Sequence, residues 1–346
     1  MTQSVIDAYA SMVHTAFKDS VRVRIEGATR PFGCLVSGGL DSSLVAGMVR
    51  SMLPSHVPLF TYSIGLKGAT DEYYAKQVAT YIQSNHTHFT VSKEELIGAI
   101  PEAIRAIGSY DTTTVRASVA NYLVCKKIRE KNECIYLWNG DGADELMGGY
   151  LYCNAAPNLF EFDAECRRLL RNIHSFDVLR SDRSIAGNGL APRTPYLDKE
   201  FVHSYLSIPA FVRWKTNQIC GKYLIRRGAE PYDYIPSEVL WRRKEAMSDG
   251  VSSTEDSWHT ILQAHAETII QGTLEDQEEY KRSHYPPRTK EQIWYRRIFE
   301  SEYGSESATH LIPYAWMPRF MEGATDASAR TLTLYGPPHS NETQDS

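Results

Sequence analysis

Short apolar runs alternate with helical periodicity through the first half of the chain. Residues 32–36 and 59–64 are typical of buried strands, and runs at 88–91 and 134–138 predict two more. Between them, a helix is predicted over 117–130, and others are indicated by apolar residues that recur every three or four positions. Those positions are Leu44, Val45, Met48, Val49, Met52 and Leu53, then Tyr74, Val78, Ala79 and Ile82, then Leu96, Ile97, Ile100, Ile104 and Ile107. This order predicts an α/β fold with a doubly wound parallel sheet.

Strand signals fade from about residue 159 onward, and helical periodicity dominates the remainder. No linker rich in Gly, Ser or Pro separates the halves, so we interpret the second half as a C-terminal helical layer packed on the sheet. The prediction is one domain over residues 1–332, with an α/β part at about 20–155 and a helical part at about 156–332. The polar stretch 333–346 is predicted to be a disordered tail.

Composition excludes some classes of partner. The chain has 346 residues and a formal net charge of −5, which argues against general binding to nucleic acid or anionic membranes. No apolar run approaches the roughly 20 residues of a membrane span, and the six cysteines lack metal-type spacing. A soluble, cytoplasmic protein with free thiols is expected. The oligomeric state stays open, a homodimer included.

A glycine-rich loop joins the first strand to its helix. This geometry presents free backbone N–H groups and the positive end of a helix to an anion, and two adjacent glycines allow close approach of a phosphate. The chain has neither the Gly-x-x-x-x-Gly-Lys-Ser/Thr motif nor a Gly-x-Gly-x-x-Gly fingerprint. The alternative is a glycine turn with a capping residue. The predicted phosphate-binding residues are Ser37, Gly38, Gly39, Leu40, Asp41 and Ser42.

A second loop follows the strand that ends at Trp138, with the sequence Asn139-Gly140-Asp141-Gly142-Ala143-Asp144-Glu145. Its three carboxylates would repel one another without a compensating cation. Because Mg²⁺ prefers carboxylate and phosphate oxygens, Asp41 and Asp144 are predicted to hold the Mg²⁺ of a nucleotide. Taken alone, the loop could instead be an Asp/Gly turn that caps a helix. Both loops fall at the carboxyl ends of strands, where ligands bind in such sheets.

The first loop resembles the pyrophosphate loop of N-type ATP pyrophosphatases, which cleave ATP between its α and β phosphates. The second loop, with Gly149-Tyr150, is similar to that of asparagine synthetases. Elements at 110–118, 193–198 and 241–251 also resemble that family in order, as does Trp316-Met317-Pro318. The resemblance covers roughly residues 5 to 333. It implies a fold of the adenine-nucleotide α-hydrolase (PP-loop) type.

The resemblance implies a two-step ligase reaction. The β-carboxylate of aspartate attacks the α-phosphorus of ATP to give β-aspartyl-AMP and pyrophosphate, and ammonia then displaces AMP to give asparagine. The implied cosubstrate is ATP with Mg²⁺. Lys244 would supply a mobile positive charge to the departing phosphates, and Arg116, with Thr113 and Thr114, would assist pyrophosphate formation. Alternatively, Lys244 and Arg116 are surface cations.

Further roles follow from the resemblance. Asn139 and Gly140 would belong to the ATP site, and Asp141 would contact the amine of the substrate or intermediate. Arg180 and Arg193 are candidates for a substrate carboxylate or a phosphate, with a surface ion pair as the alternative. Leu35 and Ile64 would flank adenine, or they are plain core residues. The role of Lys222 is less secure, because Gly221 precedes it where the family often has glutamate.

One departure concerns the nitrogen source. Glutamine-dependent members resemble a fusion with an N-terminal glutaminase whose cysteine follows the start methionine, whereas Thr2 follows Met1 here and the synthetase motifs begin within forty residues. Free ammonia is therefore the expected nitrogen donor. The alternatives are a subunit that needs a separate glutaminase, an enzyme that activates another carboxylate, and a non-catalytic regulatory protein that binds ATP.

Overall fold

The structure is a computed structural model that describes residues 1–242, 250–252, 257–274, 276 and 280–321. Its centre is a five-stranded, wholly parallel sheet with the strand order β3-β2-β1-β4-β5. The strands are β1 (Phe32–Leu35), β2 (Phe60–Leu66), β3 (Asn85–Val91), β4 (Tyr136–Trp138) and β5 (Ala191–Arg193). The predicted α/β class and parallel sheet are confirmed. In register, Cys34 lies between Thr61 of β2 and Trp138 of β4.

Helices alternate with the first four strands, as the apolar spacing predicts. They are α1 (Gln3–Glu26), α2 (Leu40–Met52), α3 (Thr70–Tyr81), α4 (Lys93–Gly98), α5 (Ile100–Ile107), α6 (Thr112–Lys131) and α7 (Ala143–Met147). The predicted helix over 96–107 is divided in two at Ala99, because Pro101 starts a new helix and Ser92 and Glu95 form a capping box on α4.

The second half is mainly helical, as predicted. Its α-helices are α8 (Leu159–Asn172), α9 (Asp177–Ala186), α10 (Lys199–Ser207), α11 (Ala210–Ile219), α12 (Tyr223–Ala229), α13 (Ser237–Leu240), α14 (Trp258–Ile269), α15 (Lys290–Tyr303) and α16 (Ala308–Leu311). Single turns of 3₁₀ helix lie at Leu151–Ala155, Ile173–Ser175, Pro195–Leu197, Glu230–Tyr232 and Ser305–Ser307. The sequence did not predict β5, a three-residue edge strand whose central residue is Pro192.

Two apolar clusters cover the two faces of the sheet. Adjacent residues of β4 enter different clusters, since successive side chains of a strand point to opposite faces: Trp138 packs with α1, α2, α10 and α12, and Leu137 with α5, α6, α14 and α15. Helices on both faces define a doubly wound sheet. The N-terminal α1 packs against α10 and α12 of the second half. No helix in the described part of the chain is long and apolar enough to span a bilayer.

The strand order reverses at the centre of the sheet. From β1 the chain moves outward through β2 and β3, and then returns to β4 on the other side of β1. The loops that leave β1 and β4 lie at this point, at the carboxyl ends of adjacent strands, which is where doubly wound sheets bind ligands. These are the glycine loop and the acidic loop.

Candidate active site

The glycine loop is shaped by Gly38. Its φ is +78°, a conformation that glycine adopts at little cost, and a side chain there would collide with the backbone of α3, with Ala75 N only 2.6 Å from an added Cβ. Gly39 is the N-cap of α2 and provides no side-chain cap. The first N–H groups of α2 therefore have no side-chain cap and lie beside the end of β1.

The two serine hydroxyls of this loop are fixed by each other. The hydroxyls of Ser37 and Ser42 lie 3.1 Å apart, and Ser42 Oγ accepts the N–H of Ser37 at 3.1 Å. Gly39 N–H donates to Ser37 Oγ at 3.3 Å. The loop is thereby preformed, with hydroxyl and amide donors near one helix end, as an oxyanion would require.

The acidic loop lies directly against the glycine loop. A Cβ on Gly140 would be 2.6 Å from Ser42 N and 2.9 Å from Asp41 Cβ, so the two backbones meet there. Asn139 is 2% exposed, and neither its amide oxygen nor its amide nitrogen has a hydrogen-bond partner among the described residues. Buried amides are normally satisfied, and this pair of free groups is what a bound ligand would engage.

One lysine joins the two loops. Lys222, the N-cap of α12, places its ammonium 2.6 Å from Asp41 Oδ2 and 2.6 Å from Asp144 Oδ1, and the residue is 2% exposed. The sequence left its role insecure, and no local pattern pairs it with carboxylates 78 and 181 residues earlier in the chain. Asp41 and Asp144 therefore lie close together with an ammonium between them, and their role as Mg²⁺ ligands stays a prediction.

Beside this pair lies an ion-pair triad. Arg180 donates to Asp141 Oδ1 at 3.0 Å and to Asp177. The pKa of Asp141 is raised to about 6, chiefly by burial, with Arg180 opposing the rise and nearby Asp177 adding to it. The structure thus brings Arg180 into the site with Asp141, a contact with a site carboxylate that the sequence did not predict.

Glu145 is a second buried acid next to the triad. Its side chain accepts the hydroxyl of Tyr150, and burial, followed by Asp177 and Asp144, raises its pKa well above its usual range. Tyr150 in turn packs against Tyr152 and Trp316. The cluster combines carboxylates that favour a bound cation with an apolar wall of aromatic rings.

Arg116 lies on α6, in a buried ion pair. Its guanidinium bonds both oxygens of Glu291 on α15, at 2.8 and 2.6 Å, with both side chains buried. The alternative of a surface arginine is therefore wrong, and its catalytic role stays a prediction. Thr114 donates its hydroxyl to Asp111 at 2.6 Å, and Thr113 is half-buried on the first turn of α6.

The remaining predicted residues are more dispersed. Arg193 lies on edge strand β5, where its guanidinium stacks on Tyr136 at 4.2 Å. Leu35 is half-buried at the end of β1, and Ile64 is 7% exposed within the apolar cluster around α5 and α6. These positions fit core packing for Ile64, and adenine contact stays a prediction for both. Lys244 lies outside the described residues.

The described residues include no cluster of three or more His, Cys, Asp or Glu side chains able to hold a metal ion by themselves. Asp41 and Asp144 nevertheless fit a nucleotide-borne Mg²⁺. Asp41 Oδ1 is buried and lacks a hydrogen-bond partner, and carboxylate oxygens with phosphate oxygens form the donor set that Mg²⁺ prefers.

The chain is similar to known proteins along most of its length. The sequence model of a family described as Asparagine synthase matches residues 12–164 and 159–322. Over 333 residues, or 95% of this chain, it is 43% identical to asparagine synthetase [glutamine-hydrolyzing] of Gallus gallus. The proteins of that name from Bos taurus and Homo sapiens are 41% and 40% identical over the same length.

The matched region is 58% of each of these relatives, so the chain spans less than two thirds of their length. Among solved structures, one of NMN synthetase from Francisella tularensis aligns with 91% of this chain and 98% of its own at a TM-score of 0.31 and 11% identity. A likeness this low carries no argument about function.

Proposed function

Because the chain belongs to the asparagine synthase family, we propose that it forms asparagine from aspartate by ATP-dependent amidation, releasing AMP and pyrophosphate. The β-carboxylate oxygen of aspartate bonds to the α-phosphorus as the bond to pyrophosphate breaks. Ammonia then attacks the acyl carbon of β-aspartyl-AMP, the C–O bond to AMP breaks, and a proton is released. A free carboxylate does not react readily with ammonia. Its activation as an acyl-adenylate supplies AMP as the leaving group.

The observation that carries this proposal is the meeting of two loops at the reversal of strand order. The Ser37–Ser42 loop presents amides and hydroxyls next to a helix end, and the acidic loop contacts it through Gly140. Donors for an oxyanion and carboxylates for a cation therefore lie side by side, as a magnesium nucleotide requires. Positioning and neutralisation of charge supply most of the catalysis of phosphoryl-type transfers.

Different residues of this chain would bind the phosphates, the metal ion and the departing pyrophosphate. The glycine loop would bind the β and γ phosphates, and the unpartnered amide of Asn139 would bond the nucleotide. Asp41 and Asp144 would hold Mg²⁺, which neutralises phosphate charge when bound. Lys244 and Arg116 keep their proposed roles in stabilising charge on pyrophosphate.

The triad of Asp141, Arg180 and Asp177 suits the amino-acid substrate. An amino group and a carboxylate carry opposite charges, and the triad offers two carboxylates with one guanidinium between them. Asp141 would accept the α-amino group, and Arg180 would pair with the α-carboxylate. Free aspartate would then replace one partner of each buried ion pair rather than enter an empty polar pocket.

Ammonia is the proposed nitrogen donor, with glutamine through a separate glutaminase as the second candidate. The relatives are named for glutamine hydrolysis, and this chain spans 58% of their length. The two candidates differ in one observable: whether the purified chain alone makes asparagine from ammonium.

An isotope experiment tests the proposal. Aspartate labelled with ¹⁸O in its β-carboxylate is incubated with Mg-ATP and either ammonium or glutamine, and the products are analysed by mass spectrometry. We expect asparagine, pyrophosphate and one ¹⁸O in AMP with ammonium. Unlabelled AMP would exclude the acyl-adenylate, and the absence of ATP turnover would favour a non-catalytic nucleotide-binding protein. Labelled AMP without asparagine would indicate a missing nitrogen donor.

A further inference from the structure

The ammonium of Lys222 occupies the place between two carboxylates where a cation is otherwise expected. Its distances to Asp41 Oδ2 and Asp144 Oδ1 are both 2.6 Å, and the side chain is 1% exposed. Two carboxylates this close to one atom would repel each other strongly in a buried site without a positive charge between them. Lys222 therefore stabilises the pair when no nucleotide is bound.

The backbone around Lys222 fixes the position of this ammonium. Lys222 has a φ of +62°, which is uncommon for a residue with a side chain, and its N–H donates to Asn217 Oδ1 at 2.7 Å. Asn217 in turn donates to the carbonyl of Gly148 at 2.8 Å. A side chain on Gly149 would lie 2.9 Å from Lys222 Cδ. The lysine is thus held by Asn217 at its backbone, by Gly149 along its stem and by the acidic loop at its ammonium.

One oxygen of the Asp41–Asp144 carboxylate pair has no partner in the described part of the chain. Asp41 Oδ1 is buried and has no hydrogen-bond partner among the described residues, whereas buried carboxylate oxygens in purely structural pairs are normally satisfied. The same part of the chain offers no group of three metal-binding side chains. Among the described residues, a metal ion held by Asp41 and Asp144 would take its further ligands from a bound molecule or from water.

We propose that Lys222 is a positioning residue that substitutes for Mg²⁺ in the nucleotide-free protein and makes the Asp41–Asp144 pair bind a divalent cation only together with a nucleotide. This rests on the proposed function, since it assigns the pair to Mg-ATP. A free dication would have to enter next to a buried ammonium and would leave the three side chains with an excess of positive charge. The phosphates of a nucleotide supply the negative charge that lets both cations stay.

Manganese binding to the nucleotide-free protein tests this directly. Mn²⁺ is a paramagnetic substitute for Mg²⁺, and its electron paramagnetic resonance signal falls when it leaves water for a protein site. We expect wild type to leave the signal nearly unchanged and Lys222→Met to bind about one Mn²⁺ per chain, at least about tenfold more tightly. The double variant Lys222→Met/Asp144→Asn should lose that site. Lys126→Met, which removes an exposed ion pair with Glu102, should behave as wild type.

Thermal unfolding gives a second measurement. Lys222→Met should melt at a lower temperature in EDTA and recover on addition of Mg²⁺ alone, whereas wild type should not respond to Mg²⁺ alone. Tight Mn²⁺ binding by nucleotide-free wild type would overturn the proposal, and this arm needs no variant to fold. The proposal would also be overturned if folded Lys222→Met bound Mn²⁺ as weakly as wild type does. Asparagine formation by wild type is assayed separately, so failure of the proposed function is distinguishable from failure of this one.

Discussion

At the scale of single residues, Gly38 gives the sharpest test of the glycine loop. Its positive φ and the backbone of α3 next to it leave no room for a side chain. We expect Gly38→Ala to cost roughly 1–3 kcal/mol of stability and to raise KM for ATP, because the loop must shift away from the phosphates. The matched variant is Gly98→Ala, where an added Cβ meets nothing within 4 Å. Equal KM values in both variants would contradict a phosphate role for the loop.

Asp141 makes stability depend on pH. Burial raises its pKa to about 6 in the folded protein, above its ordinary value of 3.8, so the ionised form is disfavoured in the folded protein. Ionisation of Asp141 therefore lowers the free energy of unfolding. This loss is absent below about pH 4, grows as the pH rises toward 6 and is constant above pH 6. Asp141→Asn removes it, so the melting temperature of the variant relative to wild type should rise between pH 4 and 6. If the difference in melting temperature between Asp141→Asn and wild type stays constant from pH 4 to 6, a raised pKa of Asp141 is contradicted.

At the scale of elements, Arg116 links α6 to α15 through Glu291, whose side chain is completely buried. Arg116→Met leaves that carboxylate without this cation, and we expect a loss of about 3–5 kcal/mol in urea unfolding. The double variant Arg116→Met/Glu291→Leu should recover much of the loss. If the refolded double variant still lacks pyrophosphate formation, Arg116 acts in catalysis as proposed; full activity would assign it to packing alone.

Prediction from sequence succeeded where the information is local. Gly38 and Gly39 directly follow an apolar run, and Asn139–Glu145 follows another, so each loop could be placed on its strand and both at one edge of the sheet. The pairing of Lys222 with Asp41 spans 181 residues, and no periodicity encodes it. The strand β5 was missed because three residues around Pro192 carry too little pattern, and its place is set by pairing with β4.

At the scale of the whole molecule, nucleotide binding should stabilise the entire fold, since the site draws on both halves of the chain. We expect a non-cleavable α,β-methylene analogue of ATP with Mg²⁺, at about 100 times its Kd, to add roughly 2.7 kcal/mol and to raise the melting temperature by roughly 5 °C. Asp41→Asn should weaken this response. A melting temperature of wild type that the analogue leaves unchanged would contradict nucleotide binding at these loops.

The ion pair between Lys222 and Asp41 also affects the order in which the chain folds. It closes a loop of 181 residues, and closing long loops is a late event when local helices and strands form first. During synthesis, the ribosome must release α12 before the ammonium can reach the carboxylates that precede it in the chain. The Asp41–Asp144–Lys222 bridge can therefore form only after α12 has been synthesised, and recovery of nucleotide binding on refolding should lag behind recovery of helix content.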